Sequence, residues 1–310
     1  SSLTVKGAGA DKTEIQSDNN NNWNPGIKDG CDSGLADALK PGMDIPYVDG
    51  RNQGGGRAGV LIAGKADKIR FEDVSMRCLY PTKTQAEVLC IRNKSDNATA
   101  FVRCRFYSQQ DTLLPGGGYN WFYDCYVEGD TDFIWGGNSA CLFESCEVEM
   151  ITSGGRGFNA RVKANNIGYV FSECILTVAE GVTKCRLLEG SDGTGMVDNI
   201  TFVNTTIDKE FFSGGINSED KSMVPIAGYD DIRYNDGNNV VSLGEDTGIK
   251  DGCKMYNCTY YDGGNKKSVQ DSSVNGADRI HTLTLEEYNR YFKDRSTVLG
   301  GYADTTWFTE

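Results

Sequence analysis

Histidine is nearly missing: the 310-residue chain has one, His281, near its C-terminal end. That leaves little room for a Ser-His-Asp hydrolase, which needs an imidazole to carry the proton, and His281 reads as structural. Long apolar runs are absent too; without eighteen consecutive apolar residues no membrane-spanning helix is expected. No C-x-x-C pair occurs among the 11 cysteines, which argues against zinc ribbons and thioredoxin-type redox chemistry. Lys/Arg runs are lacking and the net charge is -13, so the surface repels phosphate backbones and nucleic acid is not expected as a partner. The first residues, SSLTVKG, hold neither an initiator Met nor a signal peptide, as expected of a processed chain or one cut from a longer polypeptide.

What is abundant is glycine, 38 residues against 6 prolines, with 38% hydrophobic residues. This suits many strands and turns rather than disorder. The segments FEDVSM (71–76), FVRCRF (101–106), FYDCYV (122–127), FESCEV (143–148), FSECIL (171–176) and FVNTTI (202–207) all read F-x-x-[C/V/T]-x-apolar, and MYNCTY (255–260) fits with Met255 replacing Phe. Two consecutive intervals, 101 to 122 and 122 to 143, are each 21 residues. Periods of this size signal a solenoid, and alternating β-branched and aromatic residues make each unit a set of short strands. The fold class expected is all-β, a right-handed parallel β-helix. Phe101, Phe122 and Phe143 would stack in one internal column and Cys104, Cys125 and Cys146 in another. The ladder cysteines then act as small buried hydrophobes; Cys31, Cys185 and Cys253 fall outside the ladder and are free to pair. One domain is expected, with the β-helix over 1–265, loops thrown out near 17–57 and 208–252, and a C-terminal helical arm over 266–310. In that arm TLTLEEYNRYF (282–292) opens on a capping box, Thr284 with Glu287.

The repeat also sets geometry. Asp111 lies ten residues after Phe101 and Asp132 ten after Phe122, so equal coils stack the two carboxylates about one strand spacing apart. Asp130 has no partner at that register. Two carboxylates so close titrate as a unit, one acid and one carboxylate near neutral pH, as nucleophile plus general acid/base chemistry requires. Register alone equally allows a structural aspartate ladder or turn caps.

At these residues the chain resembles the pectin methylesterase (pectinesterase) family of carbohydrate esterases. QAEVL (85–89) is similar to that family's Q-A-V-A-L, SQQDTLL (108–114) to its Y-Q-D-T-L, DFIWGG (132–137) to its D-F-I-F-G, and LTLEEYNRYF with Trp307 to its C-terminal helix and closing Trp. LTVKGAGADKTEI (3–15) is similar to its second strand region. The resemblance implies Asp132 as nucleophile on a methyl ester, Asp111 as general acid then base, and Gln110 and Gln85 as oxyanion donors, with no metal or other cofactor. Of the family's L-G-R-P-W, KCRLLEG (184–190) keeps Arg186, to hold the nucleophile ionised, but has Leu188 in place of Trp; Arg161 in NARVKAN is the alternative arginine, resembling the structural A-Q-G-R segment. Trp135, Phe133, Tyr107 and Trp121 are the candidates for a sugar-stacking wall. The family's N-terminal G-x-Y-x-E strand has no counterpart, so the first coil's edge is expected to need a cover, and 17–57 is the candidate.

The function implied is hydrolysis of methyl-esterified homogalacturonan to pectate and methanol by a secreted enzyme, alone or as part of a larger secreted polypeptide. A catalytically weak pectin-binding protein or a structural surface β-helix is the rival from another class. A galacturonan hydrolase would show G-H-G, which the single histidine excludes, and the calcium-binding acids of a pectate lyase are not evident. Five N-x-[S/T] sites, at Asn93, Asn97, Asn199, Asn204 and Asn257, are glycosylation acceptors only in a eukaryotic source; the last two belong to the coil repeat and are expected to be poorly exposed.

Overall fold

The structure, a computed structural model, describes residues 1–20, 57–62, 66–94, 96–163, 166–188, 196–197, 199–214, 252–262, 265–269, 280–303 and 306–310. Most of both expected loop insertions, including Cys31, therefore lies outside the described residues. Among those described, three sheets of nine, nine and six strands run along a solenoid, parallel except that the last strand of the second, Asn265–Ser268, pairs antiparallel with Thr259–Asp262. This is the architecture of a right-handed parallel β-helix. The central coils each contribute one strand to each sheet. The coil holding the first aspartate runs Ala98–Val102, Arg105–Tyr107, Leu113–Gly116, and the next runs Tyr119–Tyr123, Tyr126–Gly129, Thr131–Gly136.

The repeat dictates this geometry. Phe71, Phe101, Phe122, Phe143, Phe171, Phe202 and Met255 occupy one register position in the first sheet. Their rings stack with centroids 4.7 Å apart between Phe101 and Phe122 and 4.5 Å between Phe122 and Phe143. Two residues after each ring the chain turns. Asp73, Arg103, Asp124, Ser145, Glu173, Asn204 and Asn257 all have φ between 50° and 57°, a left-handed bend that points their side chains off the coil and swings the next residue inward. That next residue is the buried Val74, Cys104, Cys125, Cys146, Cys174, Thr205 or Cys258. The cysteines of this column are free, Cys185 is free and buried as well, and Cys253 is buried. The bend also corrects the expectation for Asn257, which is exposed because its bend turns it outward, whereas Asn97 and Asn199 are buried.

The C-terminal arm covers the outer face of the first sheet. The helix Leu285–Tyr291 has the expected capping box, Thr284 and Glu287, and His281 Nε2 sits 3.0 Å from the Glu287 carboxylate. A second helix, Arg295–Leu299, buries Val298 and Leu299. Together with Phe292 and Phe308 they form a second apolar cluster over Ala100, Trp121, Leu142 and Val170.

Candidate active site

The two aspartates lie at the start of the third sheet, where the coil leaves the second. Gln85, Gln110 and Thr131 are bridged in parallel on successive coils, and the Asp111 backbone N–H donates to the Thr131 carbonyl at 3.0 Å. Asp111 and Asp132, one residue further on in each coil, are therefore neighbours across one coil spacing. Both are in the left-handed region, with φ of 63° and 48°, a conformation that costs an L-residue about 1–2 kcal/mol and that aspartate tolerates better than most. At Asp132 the ladder also slips. Thr131 faces Arg156 and Ile134 faces Phe158, so three steps on one strand oppose two on the next, a bulge that re-aims the side chain beside it.

Asp111 is buried, 3% exposed, and its surroundings favour the protonated form. Burial pushes its proton affinity well above the usual carboxylate range; the negative charge of Glu87 adds to that, Arg57 opposes it, Asp132 raises it further and Arg161 opposes again. Arg57 is the residue the sequence reading missed. Its Nη2 donates to Asp111 Oδ2 at 2.6 Å and to Glu87 Oε1 at 2.9 Å, its Nε to Glu87 Oε2 at 2.8 Å, and its Nη1 to Gln85 Oε1 at 2.6 Å. A signal was present: Q-A-E-V-L puts Glu87 where the family pattern has an apolar residue, and an acid pointed into a core requires a cation.

Asp130 has a separate partner. Its buried carboxylate meets Lys83 Nζ at 3.1 Å, and the same ammonium donates to Thr131 Oγ1 at 2.9 Å. This aspartate anchors the coil beside the pair.

The arginines divide. Gly136, at φ 99°, and Gly137 allow the next coil to come close: a Cβ on Gly137 would lie 2.1 Å from the Arg161 carbonyl oxygen. Arg161 then reaches over Trp135, its guanidinium carbon 5.1 Å from the ring centroid, and its charge is felt at Asp111. Arg186 opens the strand Arg186–Leu188 opposite Arg156, two coils beyond Thr131.

Of the four aromatics expected to face sugar, two do not. Phe133 is fully buried, its ring 5.6 Å from that of Phe158 inside the solenoid, because its place on the pleat faces the core. Trp121 is fully buried on a different sheet, edge-on to Phe308 at 5.9 Å and under the Arg295 guanidinium at 4.2 Å, with its indole N–H donating to Glu144; the C-terminal arm closes over it. Trp135 is half-buried in the strand that carries Asp132. Tyr107 lines a cleft of about 110 Å³ with Ala86, Gln109, Tyr80 and Arg77.

The chain matches the Pectinesterase family model over residues 58–185. It is 33% identical over 126 residues to pectinesterase 31 of Arabidopsis thaliana, covering 39% of this chain and 37% of that protein. To probable pectinesterase 8 of the same plant it is 34% identical over 107 residues, 31% of this chain and 27% of that protein. The chain thus spans less than two fifths of the length of these curated relatives. The pectin methylesterase from carrot shares the fold with a TM-score of 0.59 at 14% identity, over 100% of this chain and 84% of that one. The pectin methylesterase from Yersinia enterocolitica does so with 0.58 at 18% identity, over 97% and 88%.

Proposed function

We propose that this chain is a carboxylic ester hydrolase that removes methyl esters from galacturonan through an aspartyl acyl-enzyme. The observation that carries the reading is Asp111 buried against Arg57 and stacked beside Asp132, with Gln85 and Gln110 in the adjacent column. In this scheme the Asp132 carboxylate attacks the ester carbonyl. The oxyanion that forms accepts hydrogen bonds from the Gln85 and Gln110 amides, one such donor being worth about 3 kcal/mol. Collapse breaks the bond to methoxide, which leaves as methanol with the proton of Asp111 and leaves an anhydride on Asp132. Asp111, now ionised, takes a proton from water as that water attacks the anhydride, and both carboxyls return to their starting states. Arg161, whose charge is felt at Asp111, and Arg186, from the motif, are the candidates for keeping Asp132 ionised. Trp135 and Tyr107 are the candidates for contact with the sugar rings.

A solved structure similar to this chain at 16% identity is described as a pectin methylesterase in complex with a hexasaccharide, which supports an oligosaccharide as the ligand here. No helix among the described residues is long and apolar enough to cross a membrane, and a wall polysaccharide as substrate requires a secreted enzyme. The test is highly methylated pectin with the parent and Asp132→Ala side by side, following methanol and the ultraviolet absorbance of unsaturated sugars. Methanol from the parent alone, without absorbance, is the expected result. A folded parent that releases none would leave a pectin-binding protein, and rising absorbance would mean a lyase.

A further inference from the structure

Arg57 does more than neutralise a buried acid. Each of its three guanidinium nitrogens donates to a site carboxylate or amide: Nε and Nη2 clasp Glu87, Nη2 reaches Asp111 Oδ2, and Nη1 reaches Gln85 Oε1. The side chains of Arg57, Glu87 and Asp111 are all at most 4% exposed, so these bonds act in a medium where charge is weakly screened. The contact with Gln85 has a directional consequence. A side-chain amide whose oxygen is fixed on a cation must turn its NH2 group the other way, and only the NH2 end can donate to an oxyanion.

The contact with Asp111 raises an apparent conflict. A guanidinium 2.6 Å from a carboxyl favours ionisation, whereas the general acid must keep its proton until methoxide leaves. Glu87 resolves it by holding the same guanidinium through two bonds and by placing its own negative charge beside Asp111. The other charges that face Asp111 are Asp132 and Arg161, which oppose one another. With Oδ2 committed to Arg57, the exchangeable proton of Asp111 belongs on Oδ1.

We propose that Arg57, with Glu87 as its counter-charge, is a positioning residue for the ester-cleaving site, turning the Gln85 amide toward the oxyanion and presenting Asp111 Oδ1 as the oxygen that gives and takes the proton. The inference rests on the esterase reading for its purpose, but its geometry is independently measurable. Lysine cannot reproduce the role, since its three N–H donors radiate from a single nitrogen and cannot supply the four hydrogen bonds of the planar fork.

The experiment combines carbon-13 carboxyl titration of Asp111 by NMR with kcat and KM over a range of pH, in the parent, Glu87→Gln, Arg57→Lys and the double variant Arg57→Leu/Glu87→Leu. Glu87→Gln keeps an acceptor for Arg57 but removes the offsetting charge. The Asp111 midpoint should fall by about one pH unit or more, and the basic limb of kcat/KM should move to lower pH with it. Arg57→Lys should lower kcat about tenfold or more with KM nearly unchanged, as expected when a donor used only in the transition state is misaimed. The double variant removes both charges together, so the fold should persist while kcat falls. An Asp111 midpoint unmoved in folded Glu87→Gln, or parental kcat in the folded double variant, would overturn the proposal. A parent without esterase activity overturns the esterase reading alone, because the Asp111 titration still decides whether the pair controls that carboxyl.

Discussion

Leu188 stands where the family pattern has a tryptophan. It is buried on the third sheet opposite Phe158, so its side chain faces packed core rather than a groove. Leu188→Trp is therefore expected to overpack the coil, at a cost of about 1–3 kcal/mol, and to give no gain in methanol release; a thermal melt and an activity assay on the same sample check both. The proposed candidate for stacking on sugar is instead Trp135, half-buried and under the Arg161 guanidinium. Trp135→Ala should raise KM about tenfold with a smaller change in kcat, since a ring contact is made in ground and transition states alike, and a kcat loss without a KM change would refute that role. At this scale the sequence was partly legible. The aspartate pair followed from counting residues after a phenylalanine. The partner of Glu87 did not, because Arg57 is 30 residues away and nothing in its neighbourhood repeats.

The strands and their bends carry the regularity. A phenylalanine column inside, a left-handed bend two residues later and a small buried residue after it explain the whole F-x-x-C unit in terms of one backbone path. Phe122 sits in the middle of that column, fully buried between two parallel neighbours. Phe122→Ala is expected to cost about 3–5 kcal/mol, the range for emptying a large core site, read from denaturant unfolding. The neighbouring Cys125→Ala should cost much less, about 1 kcal/mol, because a thiol leaves a small void. Equal costs would mean that the ring column is not what holds the coils in register. The third sheet departs from this regularity at the bulge beside Asp132, the proposed nucleophile, where the register of its strand against the next shifts by one residue.

For the whole molecule the governing quantity is charge. A net charge of -13 disfavours an anionic product relative to a neutral ester. Inhibition by fully demethylated polygalacturonate should therefore strengthen as salt is raised from about 10 mM to about 150 mM, where the screening length falls from about 30 Å to about 8 Å; inhibition that weakens would mean that local cations in the groove dominate the field. The arm at the C-terminus acts at the same scale. By closing over Trp121 it converts the outer face of the first sheet into a second core, on a different sheet from the proposed site.

The sequence by itself determined the solenoid, the register of its columns, the stacking of Asp111 on Asp132 and the capped helix near the end. All of these follow from local spacing, because coils of equal length carry equivalent residues to equivalent places. Only the tertiary structure decided which aromatics are buried, which arginine approaches the aspartates, and that Arg57 and Glu87 lie beneath Gln85. Those outcomes depend on which face of a strand looks inward and on where a long connection returns, and neither leaves a periodic mark in the chain.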